Sequence, residues 1–164
     1  MGQLINGEWI QGSVSNNSKD GGFKRLNSFF RNNISEDHNT YVAEANRYHL
    51  YVSYACPWAH RTLIFRKLKN LEDYISVDFS HPDMLEMGWS FARDFPNATG
   101  DTLYDKKYAH EIYQLSDKKI STKATVPILW DKKSCSIVNN ESSEIIRIMN
   151  LSLIHISEPT RLWT

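Results

Sequence analysis

The chain has two cysteines, Cys56 and Cys135, and Cys56 stands where a thiol does chemistry. Tyr48 to Tyr54 is an aromatic and β-branched run that reads as a strand. Pro57 follows Cys56 and suits the first position of a helix, where a missing N–H removes no bond. Cys56 is therefore expected at a strand-to-helix junction. Unpaired N–H groups and the positive end of the helix dipole both favour thiolate there, and thiolate is the nucleophilic form. Cys56-Pro57-Trp58-Ala59 has the frame of a Cys-x-x-Cys pair with its second cysteine replaced by Ala59. A dithiol resolves its own mixed disulfide, whereas a single thiol waits for an outside one. The plainer alternative is a buried structural cysteine. Cys135 falls in an expected strand and receives no chemical role.

Other residues frame this thiol. His60 is four residues on, so it shares a helix face with Cys56. It can tune the thiol, be purely structural or pair with Cys56 on a metal. Two ligands fall short of the three or four that zinc takes, and no metal is expected. Arg61 interrupts an apolar arc, so it pairs with a carboxylate, helps hold the thiolate or is structural. Val126-Pro127 precedes a strand and is compatible with a cis bond, which would turn the Val126 backbone N–H and C=O toward a peptide-like ligand. An edge-strand proline is the alternative. Asn139-Asn140 is expected to cap a helix that starts at Glu141-Ser142. Free N–H groups and the Ser142 hydroxyl there suit a carboxylate, and Glu141 suits an ammonium group. Ordinary capping would explain the same residues.

The elements that must position these groups follow from periodicity. A helix is expected from Pro57 to about Asn70, with Trp58, Ile64, Phe65 and Leu68 on one arc of about 120° and Ala59 and Leu63 on another side. Such a helix is usually covered on two sides. Tyr74 to Phe79 reads as a second strand, and His81 to Gly100 as an inserted loop broken by glycine and proline. A second helix is expected from about Asp101 to Leu115, with Tyr104, Tyr108, Ile112 and Leu115 as its stripe. Thr125 to Trp130 and Cys135 to Val138 read as two strands joined by a short turn. The last helix runs to about Asn150. The order βαβαββα makes the first two strands parallel and the last two antiparallel, which is the thioredoxin-like α/β pattern. Upstream, residues 1–47 form an arm: Gly7 to Ile10 as a short hairpin strand, Gly21-Gly22 as a break, and residues 23–47, with Phe23, Phe29 and Phe30, as a surface extension.

Composition narrows the function. Among 164 residues, 19 Lys plus Arg balance 19 Asp plus Glu, so charge offers no case for nucleic acid or an anionic membrane. Hydrophobic residues are 41% of the chain, enough for a core, yet no apolar run is long enough to span a bilayer. Neither a secretory signal nor a transit-peptide pattern is evident at the start. Two cysteines are few for a secreted disulfide scaffold. A reducing, cytoplasmic setting is expected.

Tyr51 to Thr62, Gly88 to Phe91, Gly100 to Tyr104, Thr125 to Asp131 and Ile137 to Arg147 occur in order, and together they resemble the glutathionyl-hydroquinone reductases, the Xi class of glutathione transferases. The likeness covers roughly residues 5–150. It implies Cys56 as nucleophile and glutathione as co-substrate. Trp89 would pack against glutathione, Val126 would bond its cysteinyl backbone beside cis Pro127, and Glu141 and Ser142 would hold its γ-glutamyl end. Lys123 lies where the family often has a basic residue and would meet a glutathione carboxylate. The implied reaction is removal of glutathione from a glutathionyl-hydroquinone. Residues 48–150 would be the glutathione-binding domain. Family members continue into a helical carboxy-terminal domain that supplies much of the quinone pocket and of a homodimer contact. Residues 151–164 do not look like that continuation, and Leu151 to Arg161 resembles translated sequencing adapter. An omega-like thiol transferase or dehydroascorbate reductase and a non-catalytic glutathione-binding module are the rivals.

Overall fold

A computed structural model describes residues 2–12, 28–153 and 156 of the chain. Its centre is a four-stranded sheet built from β3 (Tyr48–Val52), β4 (Ser76–Phe79), β7 (Ile128–Asp131) and β8 (Ser136–Asn139) in the order β4-β3-β7-β8. β3 and β4 are parallel, joined by helix α1 (Pro57–Leu68); β3–β7 and β7–β8 are antiparallel. Helix α2 (Ala109–Ser116) precedes β7, and helix α3 (Ser142–Arg147) follows β8 and continues as a π-helical turn, Ile148–Ser152. This is the thioredoxin-like α/β order expected from the sequence.

Period-2 alternation divides the side chains between two faces. Leu50, Val52, Leu129 and Val138 pack with Ala59 of α1 and Ile145 of α3. Tyr51, Ile128, Trp130 and Ile137 pack with Ala109, Ile112 and Tyr113 of α2. All five residues of β3 are buried, as suits a central strand covered on both sides.

The extensions are more integral than a surface arm. A hairpin of β1 (Gln3–Ile5) and β2 (Glu8–Ile10) bonds Leu4 to Thr122 through both backbone groups, and Leu4 joins the α2-side core. Phe30 and Asn32 bond the backbone beside the edge strand β8, and Ile34 and Tyr41 enter the α1-side core. An open sheet edge is thereby covered. The expected break at Gly21-Gly22, the position of Phe23 and most of the 151–164 tail lie outside the described residues.

Three expectations are corrected. The second helix starts at Ala109, not Asp101, because the Asp101 carboxylate accepts bonds from Leu103, Tyr104 and Lys106 N–H groups. Those bonds wind residues 101–106 into turns, and Asp105 takes φ 54°. Cys135 is not in a strand: it sits at φ 50°, exposed, in the turn before β8. That turn is longer than expected because Asp131 accepts from the Lys133 N–H and the Ser134 hydroxyl. Helix α1 buries Ala59 and Thr62, small enough for close approach, while Trp58, Ile64 and Leu68 of the expected arc face outward.

The inserted loop carries a two-residue hairpin, β5 (Met84–Leu85) and β6 (Gly88–Trp89). No helix among the described residues is long and apolar enough to cross a membrane.

Candidate active site

Strand directions bring four connections to one end of the sheet. β3 and β4 end there, antiparallel β7 begins there, and β8 ends there. The connection after β3 carries Cys56, the one after β4 leads to Trp89, the one before β7 holds Val126-Pro127, and the one after β8 reaches Glu141 and Ser142.

Cys56 is the N-cap residue of α1, in extended backbone, with Pro57 in the first turn. Its N–H donates to the Ser53 carbonyl at 3.2 Å, and its own carbonyl accepts the His60 N–H at 3.0 Å. Cys56 is 8% exposed. Its Sγ lies 3.5 Å from the Val126 carbonyl oxygen, toward which the S–H points. The Val126-Pro127 peptide is cis. Among the described residues the Val126 N–H has no hydrogen-bond partner.

Glu141, not the asparagine pair, is the N-cap of α3. It accepts from the Ser143 N–H through Oε1 and from the Ser28 hydroxyl through Oε2 at 2.8 Å. The asparagines work elsewhere: Asn139 Oδ1 accepts the Glu141 N–H, and Asn140 accepts the Phe30 N–H while donating to the Tyr113 hydroxyl. Glu141 and Ser142 are joined to α1 by Arg61, whose Nε and Nη2 lie 2.9 and 2.7 Å from Ser142 Oγ. Arg61 Nη2 is also 3.7 Å from Glu141 Oε1.

Trp89 is half-buried and packs against the cluster that includes Cys56 and Val126. Lys123 precedes Val126 by three residues and is half-buried. Among the described residues no hydrogen bond or ion pair ties its ammonium to the other candidates. His60 is exposed, and among the described residues no group of three His, Cys, Asp or Glu side chains gathers to hold a metal ion.

Two contributors have no role that the sequence alone assigns. Arg61 admits three roles by its place on α1. Tyr113 carries no motif, yet its buried hydroxyl donates to the Thr125 carbonyl and accepts from the Thr125 N–H and Asn140 Nδ2. It thus clamps the Val126 and Glu141 connections together. Burial pushes the Tyr113 phenol up, against the opposing pull of its bonds with Thr125 and Asn140. Its place on a helix flanking a glycine-free turn gave no sequence signal for this.

Residues 55–151 match the family described as glutathione S-transferase, N-terminal domain. The chain is 52% identical over 157 residues to the glutathionyl-hydroquinone reductase YqjG of Escherichia coli K12, spanning 92% of this chain and 48% of that protein. Among solved structures it resembles a Xi class transferase from Natrialba magadii, with TM-score 0.85 and 41% identity over 98% of this chain and 48% of that one. It also resembles the glutathione-bound structure of YqjG, with TM-score 0.78 and 48% identity over 92% of this chain and 46% of that one. The chain spans about half the length of the curated relatives it matches.

Proposed function

The chain belongs to the glutathione S-transferase N-terminal domain family, and from that premise we propose that it is the thiol-bearing half of a glutathionyl-hydroquinone reductase. Residues 48–150 form the glutathione-binding unit, preceded by the arm 1–47, with 151–164 outside the family pattern. The observation that carries the reading is a lone thiol at the start of α1, held against the Val126 carbonyl, with Glu141 and Ser142 delivered to the same end of the sheet.

In the proposed reaction the Cys56 thiolate attacks the thioether sulfur of a glutathionyl-hydroquinone. A Cys56–glutathione disulfide forms, the carbon–sulfur bond breaks, and the hydroquinone carbon leaves with the electron pair and takes a proton. A second glutathione thiolate then attacks the disulfide, releasing oxidised glutathione and free Cys56. Val126 bonds the cysteinyl backbone of glutathione, Glu141 and Ser142 take its γ-glutamyl end, Trp89 packs along it, and Lys123 meets a carboxylate. Pro127 holds the Val126 connection in its turn. The longer protein works in the cytoplasm as a homodimer, with a helical domain completing the quinone pocket and no role for nucleic acid or membrane.

Treatment with oxidised glutathione should give one adduct by intact mass, mapped to Cys56. An internal Cys56–Cys135 disulfide would overturn the single-thiol reading. With a helical domain from a close relative attached, turnover of a glutathionyl-hydroquinone should exceed that of a small mixed disulfide; the reverse order would assign a general thiol transferase instead.

A further inference from the structure

We infer that Arg61 is a positioning residue for recognition of the γ-glutamyl end, acting through Ser142. The inference rests on the glutathione reading above and extends it to a residue to which that reading gave no part in binding. Arg61 lies on α1, five residues after the reactive thiol, and reaches across to the first residue of α3. Its Nε and Nη2 both donate to the one Ser142 oxygen. A hydroxyl has one proton and two acceptor lone pairs. With both lone pairs facing a guanidinium, Ser142 is committed to act as donor. Among the described residues no acceptor takes its proton.

The ligand chemistry follows from the surrounding charges. Ser142 is 2% exposed, whereas the Arg61 side chain is 34% exposed. An approaching carboxylate therefore meets a guanidinium at the surface and a hydroxyl donor beneath it. Glu141 Oε1, 3.7 Å from Arg61 Nη2, offers a negative charge beside that pair. Adjacent positive and negative groups complement an α-amino acid zwitterion, which is what the free end of a γ-glutamyl group presents. The Arg61 guanidinium also lies 5.2 Å from the Trp58 ring centroid, a distance at which an aromatic face holds a cation. Trp58, Arg61 and Ser142 thus link the thiol helix to the γ-glutamyl subsite. A lysine would keep the charge there but not the planar fork.

The test measures disulfide exchange at Cys56 in the full chain with two reagents: oxidised glutathione, and the disulfide of N-acetylcysteinylglycine, which lacks the γ-glutamyl group. In each case the Cys56 thiolate bonds to one reagent sulfur, the reagent S–S bond breaks, and the other half leaves as thiolate. Cys56 is oxidised and the reagent reduced. The quantity read is the ratio of the two rates. Wild type should favour oxidised glutathione. R61M should lower the ratio about tenfold to a hundredfold, the span of one lost charged hydrogen-bonding group. R61K should recover part of it, and it keeps the test decisive if R61M fails to fold. An unchanged ratio in both variants would overturn the role of Arg61. A wild-type ratio near unity would instead overturn the glutathione reading itself.

Discussion

The two ends of β7 carry similar chemistry to opposite effect. At its far end, the fully buried Asp131 carboxylate accepts from Arg47 Nε at 2.9 Å and Nη2 at 2.7 Å, from the Ser134 hydroxyl at 2.6 Å and from the Lys133 N–H at 2.9 Å. Those four bonds use the lone pairs a carboxylate offers. Arg47 spends its remaining capacity on the Thr40 carbonyl and Glu44. At the near end, the Val126 N–H beside the Cys56 thiol and the Ser142 proton at the start of α3 have no acceptor among the described residues. Saturation marks a structural joint, and spare donors at the same end of the sheet as a thiol leave room for something else to bind.

The largest effect should separate the two cysteines along the same axis. Cys56→Ala should abolish adduct formation with oxidised glutathione by intact mass. Cys135→Ala, at the far-end turn near the Tyr104 hydroxyl and the Lys132 carbonyl, should leave it nearly unchanged. Equal losses would erase the distinction between the ends.

Breaking the far-end joint should act on stability instead. Removing one partner of a buried ion pair strands the other, so Arg47→Met should cost about 3–5 kcal/mol in urea unfolding. The rate of Cys56 modification per folded molecule should stay close to wild type. The same joint sets an acid limb. Burial pushes the Asp131 carboxyl up, but the bonds from Arg47, Ser134 and Lys133 outweigh it and hold the group below its ordinary value of 3.8. A depressed folded value means the unfolded chain takes up the proton first as pH falls. The contribution of Asp131 is therefore complete above that ordinary value and is lost as pH drops through the folded one. Urea midpoints measured from about pH 5 down to about pH 2 should fall less steeply in Asp131→Asn than in wild type.

A smaller effect, shared by both properties, is expected between the ends. Tyr113→Phe removes the hydroxyl that ties Thr125 to Asn140 and should cost about 1–3 kcal/mol. It should also slow the reaction with oxidised glutathione, because the Val126 and Glu141 connections lose their common anchor. A pure stability loss would limit Tyr113 to the fold.

The legible parts were those written in neighbouring residues. The Tyr48 strand, the Cys56-Pro57 junction and the order of the elements all rest on local pattern. What escaped depended on side chains meeting across the fold. Asp101 gathers three N–H groups of its own turn and the Tyr51 hydroxyl, so a stretch with helical spacing does not start a helix. Arg61 showed an interruption of an apolar arc but not the serine 81 residues away that it contacts. The α1 arcs were ambiguous by composition: Ala59 and Thr62 are weaker apolar signals than Trp58, Ile64 and Leu68, yet close packing on the sheet favours the smaller pair.

That inversion supports the smallest predicted effect. Trp58, Ile64 and Leu68 are 51%, 46% and 68% exposed, and they form an apolar strip along α1 that Arg61, lying over the Trp58 ring, interrupts. A side chain that buries little on folding has little to lose, so Leu68→Gln should shift the stability of this chain by no more than about 0.5 kcal/mol, and Ile64→Lys, which removes a half-buried side chain, by about 1 kcal/mol. Binding of a hydrophobic dye should fall, since the strip is the surface it would meet. In a protein carrying the proposed helical domain, full burial of such a side chain is worth about 1.5–3 kcal/mol, and the same substitutions should cost correspondingly more. Measuring both proteins turns a small number into a decisive one. Equal, small costs in the two would show that the helical domain does not cover α1. A large cost already in the short chain would show that copies of the chain cover the strip for one another, and sedimentation should then find a dimer that the lysine variant dissolves.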